Sequence, residues 1–262
     1  MSKWPFLWTI VTANLVLLAA PTVIVLAASF TSGNIIQFPP DGFSLRWYAR
    51  LWEMGEFREA FWRSFQVACI CTALAVPVGT LAALGLARYR VRFATAIQVY
   101  LLLPFTVPLV VSGLGLMFLF GDLGVLDRLW PVGIATCVIN LPFMIWAVAA
   151  SVNGLDPDLE HAAANCGAAP LQTFFTVTLP AVMPGVITGS LIMFVLAFNE
   201  FIVSLILTDA RTVTLPVLVY NSIRSVVTPD LAAVSVVYIV VATTAILLLD
   251  RLVGLDTFLK SR

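Results

Sequence analysis

One acid stands inside an otherwise uncharged stretch: the run Met183 to Thr208 carries a single ionisable residue, Glu200. A charge deep in a membrane span costs about 2.5–3.5 kcal/mol on insertion scales, so an acid there faces a cavity or a partner. Two readings stand for it: an anionic contact in the pathway of a cationic solute, or a structural hydrogen bond to another helix or a partner chain. Asn199 beside it and Asn140 in an earlier apolar run are the uncharged polar groups such a pathway would also use. The remaining chemical inventory is short. His161 is the one histidine, which leaves neither a Ser-His-Asp arrangement within a span nor a multi-histidine metal site. Lys3 and Lys260 are the lysines, and neither lies in a G-x-x-x-x-G-K-[ST] loop, so the chain does not cradle ATP by itself. Cys69, Cys71, Cys137 and Cys166 lack zinc or redox spacing and read as small packing side chains. No catalytic residue, no metal and no cofactor of its own is expected, and any ATP-driven role needs a partner.

The frame around these residues is built for lipid. The 262 residues are 61% hydrophobic and 11% charged, against roughly 45–50% apolar and about 25% charged in a soluble domain, and the mean hydropathy is +1.02. Fourteen Lys and Arg balance fourteen Asp and Glu, which leaves no electrostatic footprint for nucleic acid. Runs free of Asp, Glu, Lys and Arg extend over Trp4–Pro40, Ser64–Ala87, Phe93–Gly121, Leu129–Leu155 and Leu231–Leu249, each long enough for the ~20 residues of a spanning helix. With Met183–Thr208 they predict six transmembrane helices in one all-α membrane domain over 1–262. Barrel strands are excluded because the runs do not alternate. The first apolar core, from Leu7, exceeds the roughly 7–15 residues of a signal h-region and predicts a retained helix. Residues 43–62 mix charge with Trp47, Tyr48, Trp52, Phe57, Phe61 and Trp62, the pattern of a helix lying at the membrane interface, which cytoplasmic termini would make a periplasmic helix. Pro21, Pro77, Pro104, Pro108, Pro142 and Pro216 lie in or near spans as ordinary membrane prolines, and Gly113, Gly115 and Gly189 read as packing positions. With the N-terminus inside, seven Lys or Arg fall on each side; the short-loop cluster Arg88-Tyr89-Arg90-Val91-Arg92 then favours cytoplasmic termini.

The segment 154–182 is too polar and too broken to span. Asp156-Pro157 is a helix start and Gly167 a helix stop, which predicts a short helix over Pro157–Cys166 with Ala162, Ala163 and Ala164 open to close approach. A second short amphipathic piece follows from Pro170 to Leu179 and is expected to end at Pro180. Connectors of about 30 residues are uncommon unless they carry a function.

The run Glu160-His161-Ala162-Ala163-Ala164-Asn165-Cys166-Gly167, followed by Val177-Thr178-Leu179-Pro180, resembles the EAA loop of permease subunits of type I ABC importers. Anchored on Gly167, the spacing to Val177, Leu179 and Pro180 fits without a gap, whereas His161 stands at the usual glutamate and Glu160 lies one position earlier. Phe43-Ser44-Leu45-Arg46-Trp47-Tyr48, Leu103-Pro104, Pro108, Leu141-Pro142-Phe143, Phe198-Asn199-Glu200-Phe201 and Thr214-Leu215-Pro216 look like the spermidine/putrescine branch of that family.

The resemblance implies a six-helix MetI-like permease in the bacterial inner membrane, with both termini and the 154–182 loop cytoplasmic. It implies two such permeases, same or different, docked on two cytoplasmic ATPases that bind ATP-Mg, and a substrate-binding protein on the opposite face at Ser32–Arg63 and the loops near Asp122 and Arg211. The ATPase-coupling residues would be Glu160, His161, Ala162, Ala163, Gly167, Leu179 and Pro180; the substrate-pathway residues would be Glu200, Asn199 and Asn140. Polyamines are the expected cargo, with aminoethylphosphonate, ferric iron or another small solute as alternatives. Two rivals from other classes are a secondary transporter in which Glu200 carries the coupling proton, and a membrane scaffold that transports nothing. The first would commonly show a duplicated half, and no repeat is visible; the second has no need of a buried acid or a coupling-type loop.

Overall fold

The computed structural model describes residues 5–35, 38–89, 92–126, 128–225 and 228–253. Lys3, Trp4, Arg90, Val91, Lys260 and Arg262, on which part of the span and orientation reading rests, lie outside the described residues. The described elements are helical: α1 (Pro5–Ser29), α2 (Arg46–Glu53), α3 (Gly55–Arg88), α4 (Ala94–Thr106), α5 (Leu109–Asp122), α6 (Trp130–Asn153), α7 (Asp158–Asn165), α8 (Pro170–Thr173), a π turn (Phe174–Thr178), α9 (Leu179–Phe198), α10 (Ile202–Leu207), α11 (Leu215–Ser225) and α12 (Pro229–Val253). Four helical stretches are each long and apolar enough to cross a membrane: Trp8–Ser29, Gly55–Arg88, Trp130–Asn153 and Pro170–Phe198.

The other expected spans differ in instructive ways. Phe93–Gly121 is two helices, because Pro108 has no N–H to continue the ladder and drives Val107 before it into extended backbone with ψ 129°. The halves α4 and α5 have 13 and 14 residues, short of the ~20 a single span requires. The run Met183–Thr208 is also interrupted: α9 stops at Phe198, and Asn199-Glu200-Phe201 carries the chain out of helix before α10. Leu231–Leu249 falls within the 25 residues of α12. Nor do residues 43–62 form one interfacial helix. Met54 is extended, with ψ 107°, and the flexible Gly55 opens a new helix, so the segment is α2 followed by the first turns of α3.

Contacts divide the chain into two compact units, Met1–Glu59 with Leu218–Ala242, and Ala60–Val217 with Thr243–Arg262. In the first, the apolar α1 buries nothing along its spanning window, while its C-terminal end is anchored. Ala28, Ser29 and Thr31 are buried; the Ser29 and Tyr48 hydroxyls share a 2.6 Å hydrogen bond; and Trp47 Nε1 donates to Thr31 O at 2.8 Å. The amphipathic α2 thus buries Trp47 and Leu51 and leaves Trp52 exposed. Arg50 pairs with Asp230 at the start of α12 at 3.9 Å.

The second unit is organised on α6, which lies against α9 along much of its length. Lipid tails are as apolar as leucine, so close packing rather than the hydrophobic effect holds such helices together. Glycines make the approach possible. A Cβ on Gly185 would lie 2.6 Å from Ala147 O, and one on Gly189 would lie 2.5 Å from Met144 Sδ. Gly113 packs against Ile206, as expected of a packing position; Gly115 faces open space and does not. Val67 of α3, Phe120 of α5, Val132, Ala135 and Ile139 of α6, and Val203 and Leu207 of α10 form one buried cluster. Cys71 and Cys137 are buried and unbridged, in keeping with packing, while Cys69 and Cys166 are exposed.

Candidate coupling loop and membrane acid

The link from α6 to α9 is shaped by its own backbone requirements. Asp156 Oδ1 accepts from Asp158 N at 3.0 Å, the expected N-terminal cap with Pro157 in the first turn. At the other end Gly167 has φ +86°. Ala168 N donates to Ala163 O at 3.1 Å and Gly167 N to Ala164 O at 2.9 Å, which is the paired closure of a Schellman motif. The helix between these stops, α7, has no buried residue. His161 and Ala162 are exposed and Ala163 is half-buried, so the small residues lie open on a helix with little of its own chain to rest on.

Glu160 behaves differently from its neighbours. Its Oε1 accepts from Thr178 Oγ1 at 2.7 Å and from Arg88 Nη2 at 3.4 Å, and the Arg88 and Glu160 side chains are only 21% and 27% exposed. One carboxylate thereby joins α7 to the end of α3 and to the π turn. An open cavity of about 440 Å³ lies beside it, with Leu81, Leu84 and Arg88 on one wall and Glu160, Phe174 and Thr178 on the other. The sequence does not mark Thr178 or Arg88 as site residues, Arg88 counting there only toward orientation; the half-buried acceptor that joins them is visible only in three dimensions.

The expected stop at Pro180 does not occur. Residues from Pro170 to Phe198 form one helical stretch, with Leu179 and Pro180 in its interior rather than at a return. Proline is accommodated because the preceding turn widens: Leu179 N reaches back five residues to Phe174 O. That shift relieves the clash a proline ring makes with the carbonyl four residues before it.

Glu200 lies at the break between α9 and α10, half-buried, and its Oε1 accepts from Val203 N at 3.0 Å. It satisfies an N–H that the first turn of α10 cannot. Asn199 is exposed and its Nδ2 donates to Val195 O at 2.9 Å. Asn140 is buried, and its Nδ2 donates to Thr136 O at 3.0 Å one turn earlier in α6. Its neighbour Ile139 packs with Val203, which places Glu200 and Asn140 on elements that touch without joining their side chains. Phe194 and Phe198 stack at 6.0 Å just before the break, and Phe61 meets Phe198 edge-on at 5.7 Å. Beyond α10, the Asp209 carboxyl is held below its usual range by the Thr212 hydroxyl at 2.8 Å and then by Arg211 N–H at 2.9 Å.

The family described as binding-protein-dependent transport system inner membrane component matches residues 75–255. The putrescine transport system permease protein PotI of Escherichia coli strain K12 is 31% identical, with 83% of this chain and 80% of that one covered. The spermidine/putrescine transport system permease protein PotC of Haemophilus influenzae is 28% identical over 79% and 80%. The molybdenum transport system permease protein ModB of Mycobacterium tuberculosis is 34% identical over 70% and 75%. Among solved structures, a bacterial ABC transporter involved in the import of the acidic polysaccharide alginate superposes with a TM-score of 0.71 at 15% identity, over 95% of this chain and 96% of that one. At that identity the likeness speaks for the fold.

Proposed function

Because this chain belongs to the family of binding-protein-dependent transport system inner membrane components, we propose that it forms the membrane pathway of an importer for polyamines. Permeases of ABC importers work with ATPase and binding-protein partners. In this reading the partners are a second permease, identical or homologous, two cytoplasmic ATPases that hold ATP-Mg, and an extracytoplasmic binding protein. The chain crosses the inner membrane six times with its termini in the cytoplasm, α4 and α5 together making one crossing. It contributes no catalytic residue.

The observation that carries the coupling role is α7. It is a capped helix, closed at Gly167, without a buried side chain, set between two spanning helices. Such a helix is held in register by its ends and leaves its surface to a partner. Residues 154–182 are therefore assigned as the cytoplasmic coupling loop, with His161, Ala162 and Ala163 facing an ATPase cleft and Gly167 setting the turn. Leu179 and Pro180 sit where the loop enters α9. Closure of the ATPases on ATP pushes α7, and the membrane helices rock between inward-open and outward-open states. The binding protein docks on the opposite side, near residues 32–63 and the loops at Asp122 and Arg211.

The likeness to putrescine and spermidine/putrescine permeases over most of the chain supports an amine cargo. So does Glu200, a carboxylate at a helix break that would attract a cation, with Asn199 and Asn140 as further pathway groups. The molybdenum permease favours a second reading, an oxyanion cargo, against which the Glu200 charge would act. The test is the ATPase rate of the assembly that co-purifies with the tagged chain, reconstituted with its binding protein. Stimulation by putrescine or spermidine is expected. Stimulation by molybdate alone would replace the cargo, and absence of any ATPase would overturn the coupling role.

A further inference from the structure

The motif position usually held by glutamate carries His161, and the nearby acid, Glu160, does not face outward with it. Its carboxylate is turned toward its own chain, where Thr178 and Arg88 both donate to the same Oε1. Those two bonds orient the carboxylate toward its own chain and leave Oε2 as a further acceptor. We infer that Glu160, Arg88 and Thr178 form a latch that positions the coupling helix on its own permease, with Arg88 and Thr178 as positioning residues. The inference rests on the coupling role of α7 and adds to it the route by which α7 is joined to the membrane helices.

Three features of the geometry make this a latch rather than an incidental surface pair. First, α7 has no buried side chain, and besides its packing on α8 and the π turn this carboxylate joins it to the end of α3. Second, the groups it joins lie on separate elements, the last residue of α3 and the last of the π turn. A push on α7 therefore reaches α3 and α9 together. Third, the ion pair is incomplete. Arg88 reaches Glu160 through Nη2 alone, at the long distance of 3.4 Å, and its Nε is buried without an acceptor. Guanidinium and carboxylate form stronger, shorter contacts when two parallel N–H groups engage both oxygens. The open space between α3 and α7 leaves room for α7 to move toward Arg88 and complete that fork. The latch thus has a slack state, seen here, and a tight state that a displaced coupling helix would reach.

The experiment uses the assembly that co-purifies with the full-length tagged chain, reconstituted in liposomes with its binding protein. Two quantities are read: ATPase subunit recovered per permease, and the ratio of binding-protein-stimulated to basal ATP hydrolysis. Glu160→Arg and Arg88→Glu singly, and Thr178→Val, should keep the recovered ATPase while the ratio falls about tenfold for each charge variant, the scale of one lost charge-assisted hydrogen bond. The double variant Glu160→Arg with Arg88→Glu should recover the ratio to the level of Thr178→Val, since the swap restores the ion pair but leaves the Thr178 hydroxyl without its carboxylate acceptor. Loss of the ATPase subunits in Glu160→Arg without recovery in the double variant would overturn the latch and make Glu160 a partner contact. An unchanged ratio in all three single variants would also overturn it. If the unaltered chain brings down no ATPase at all, the coupling role itself falls first, and the latch with it.

Discussion

Gly167 offers the sharpest quantitative test, because structure separates backbone from space there. Its φ is +86°, and a Cβ added to it would meet nothing within 4 Å. A substitution therefore costs only what the left-handed backbone costs an L-residue, about 1–2 kcal/mol, with Asn and Asp penalised least. One or two kcal/mol is a factor of about 5–30 in the population of the closed turn. Because α7 buries no side chain, little packing offsets the loss, and the penalty falls on the turn rather than on the transmembrane fold. Membrane content, read by quantitative immunoblot, should stay near native for Asn, Ala, Val and Asp at this position. Uptake per membrane-embedded chain should fall in the order Gly, Asn, Ala, Val. Gly167→Asp shares the backbone tolerance of Asn but places a carboxylate on the proposed ATPase-facing turn, so its uptake should drop to background where Gly167→Asn retains a measurable fraction. Native uptake in Gly167→Val, or less uptake in Gly167→Asn than in Gly167→Val, would refute the claim that the positive φ is what this position supplies.

Gly185→Ala drives a Cβ to 2.6 Å from Ala147 O and should destabilise α6–α9 packing by about 1–3 kcal/mol, read as a lower Tm in detergent; Gly115→Ala, with open space around it, should not lower Tm, and equal losses would refute the packing argument. Glu200→Gln keeps an acceptor for Val203 N but removes the charge, so it should reduce uptake of a cationic cargo more than basal ATP hydrolysis, whereas Glu200→Ala also loses the cap, worth about 1 kcal/mol; equal loss of uptake and hydrolysis in Glu200→Gln would leave only the structural role. Pro180→Ala restores an N–H and should let Phe174–Thr178 return to α-helix, turning Thr178 by about 100° away from Glu160, with circular dichroism unchanged and the stimulated-to-basal ATPase ratio lowered. Asp209→Ala removes the acceptor that holds Arg211 and Thr212 and should speed tryptic cleavage after Arg211. Since the folded Asp209 carboxyl titrates below its usual value, the loop's stability is present above the unfolded pKa of about 3.9 and is lost only as pH falls through the lower folded value, so cleavage at pH 6 and pH 8, normalised to an unstructured substrate, should match.

The long helices were legible because they follow from local composition alone. Uncharged runs such as Ser64–Ala87 and Leu129–Leu155 can satisfy their backbone in lipid only as helices, and α3 covers the first while α6 takes up the second from Trp130 to Asn153. Interruptions were harder, because proline acts in opposite ways depending on its surroundings. Pro108 ends α4 through the extended Val107, whereas Pro180 sits inside a continuous helix because the π turn yields space for it. Sequence contains both prolines but not the widened turn. The same holds for Glu200: its apolar neighbours announced an acid within a span, yet the break at Asn199-Glu200-Phe201 and the hydrogen bond from Val203 depend on how α10 folds back on α5 and α6.

The proposed coupling loop shows the limit most clearly. Counting back from Gly167 places a histidine where the motif has its acid, and sequence alone treats Glu160 as the same acid displaced by one position. On a helix one position is about 100° of rotation, so the two residues cannot serve the same surface. Here the rotation leaves His161 exposed and carries Glu160 to Thr178, eighteen residues on, and to Arg88, seventy-two residues back. No local pattern encodes that second separation; it exists only because the last residue of α3 lies beside the first turn of α7 in one unit. A displaced motif acid is thus better understood as a change of role than as a tolerated shift: the charge moves from the surface a partner would meet to the joint that holds the helix in place.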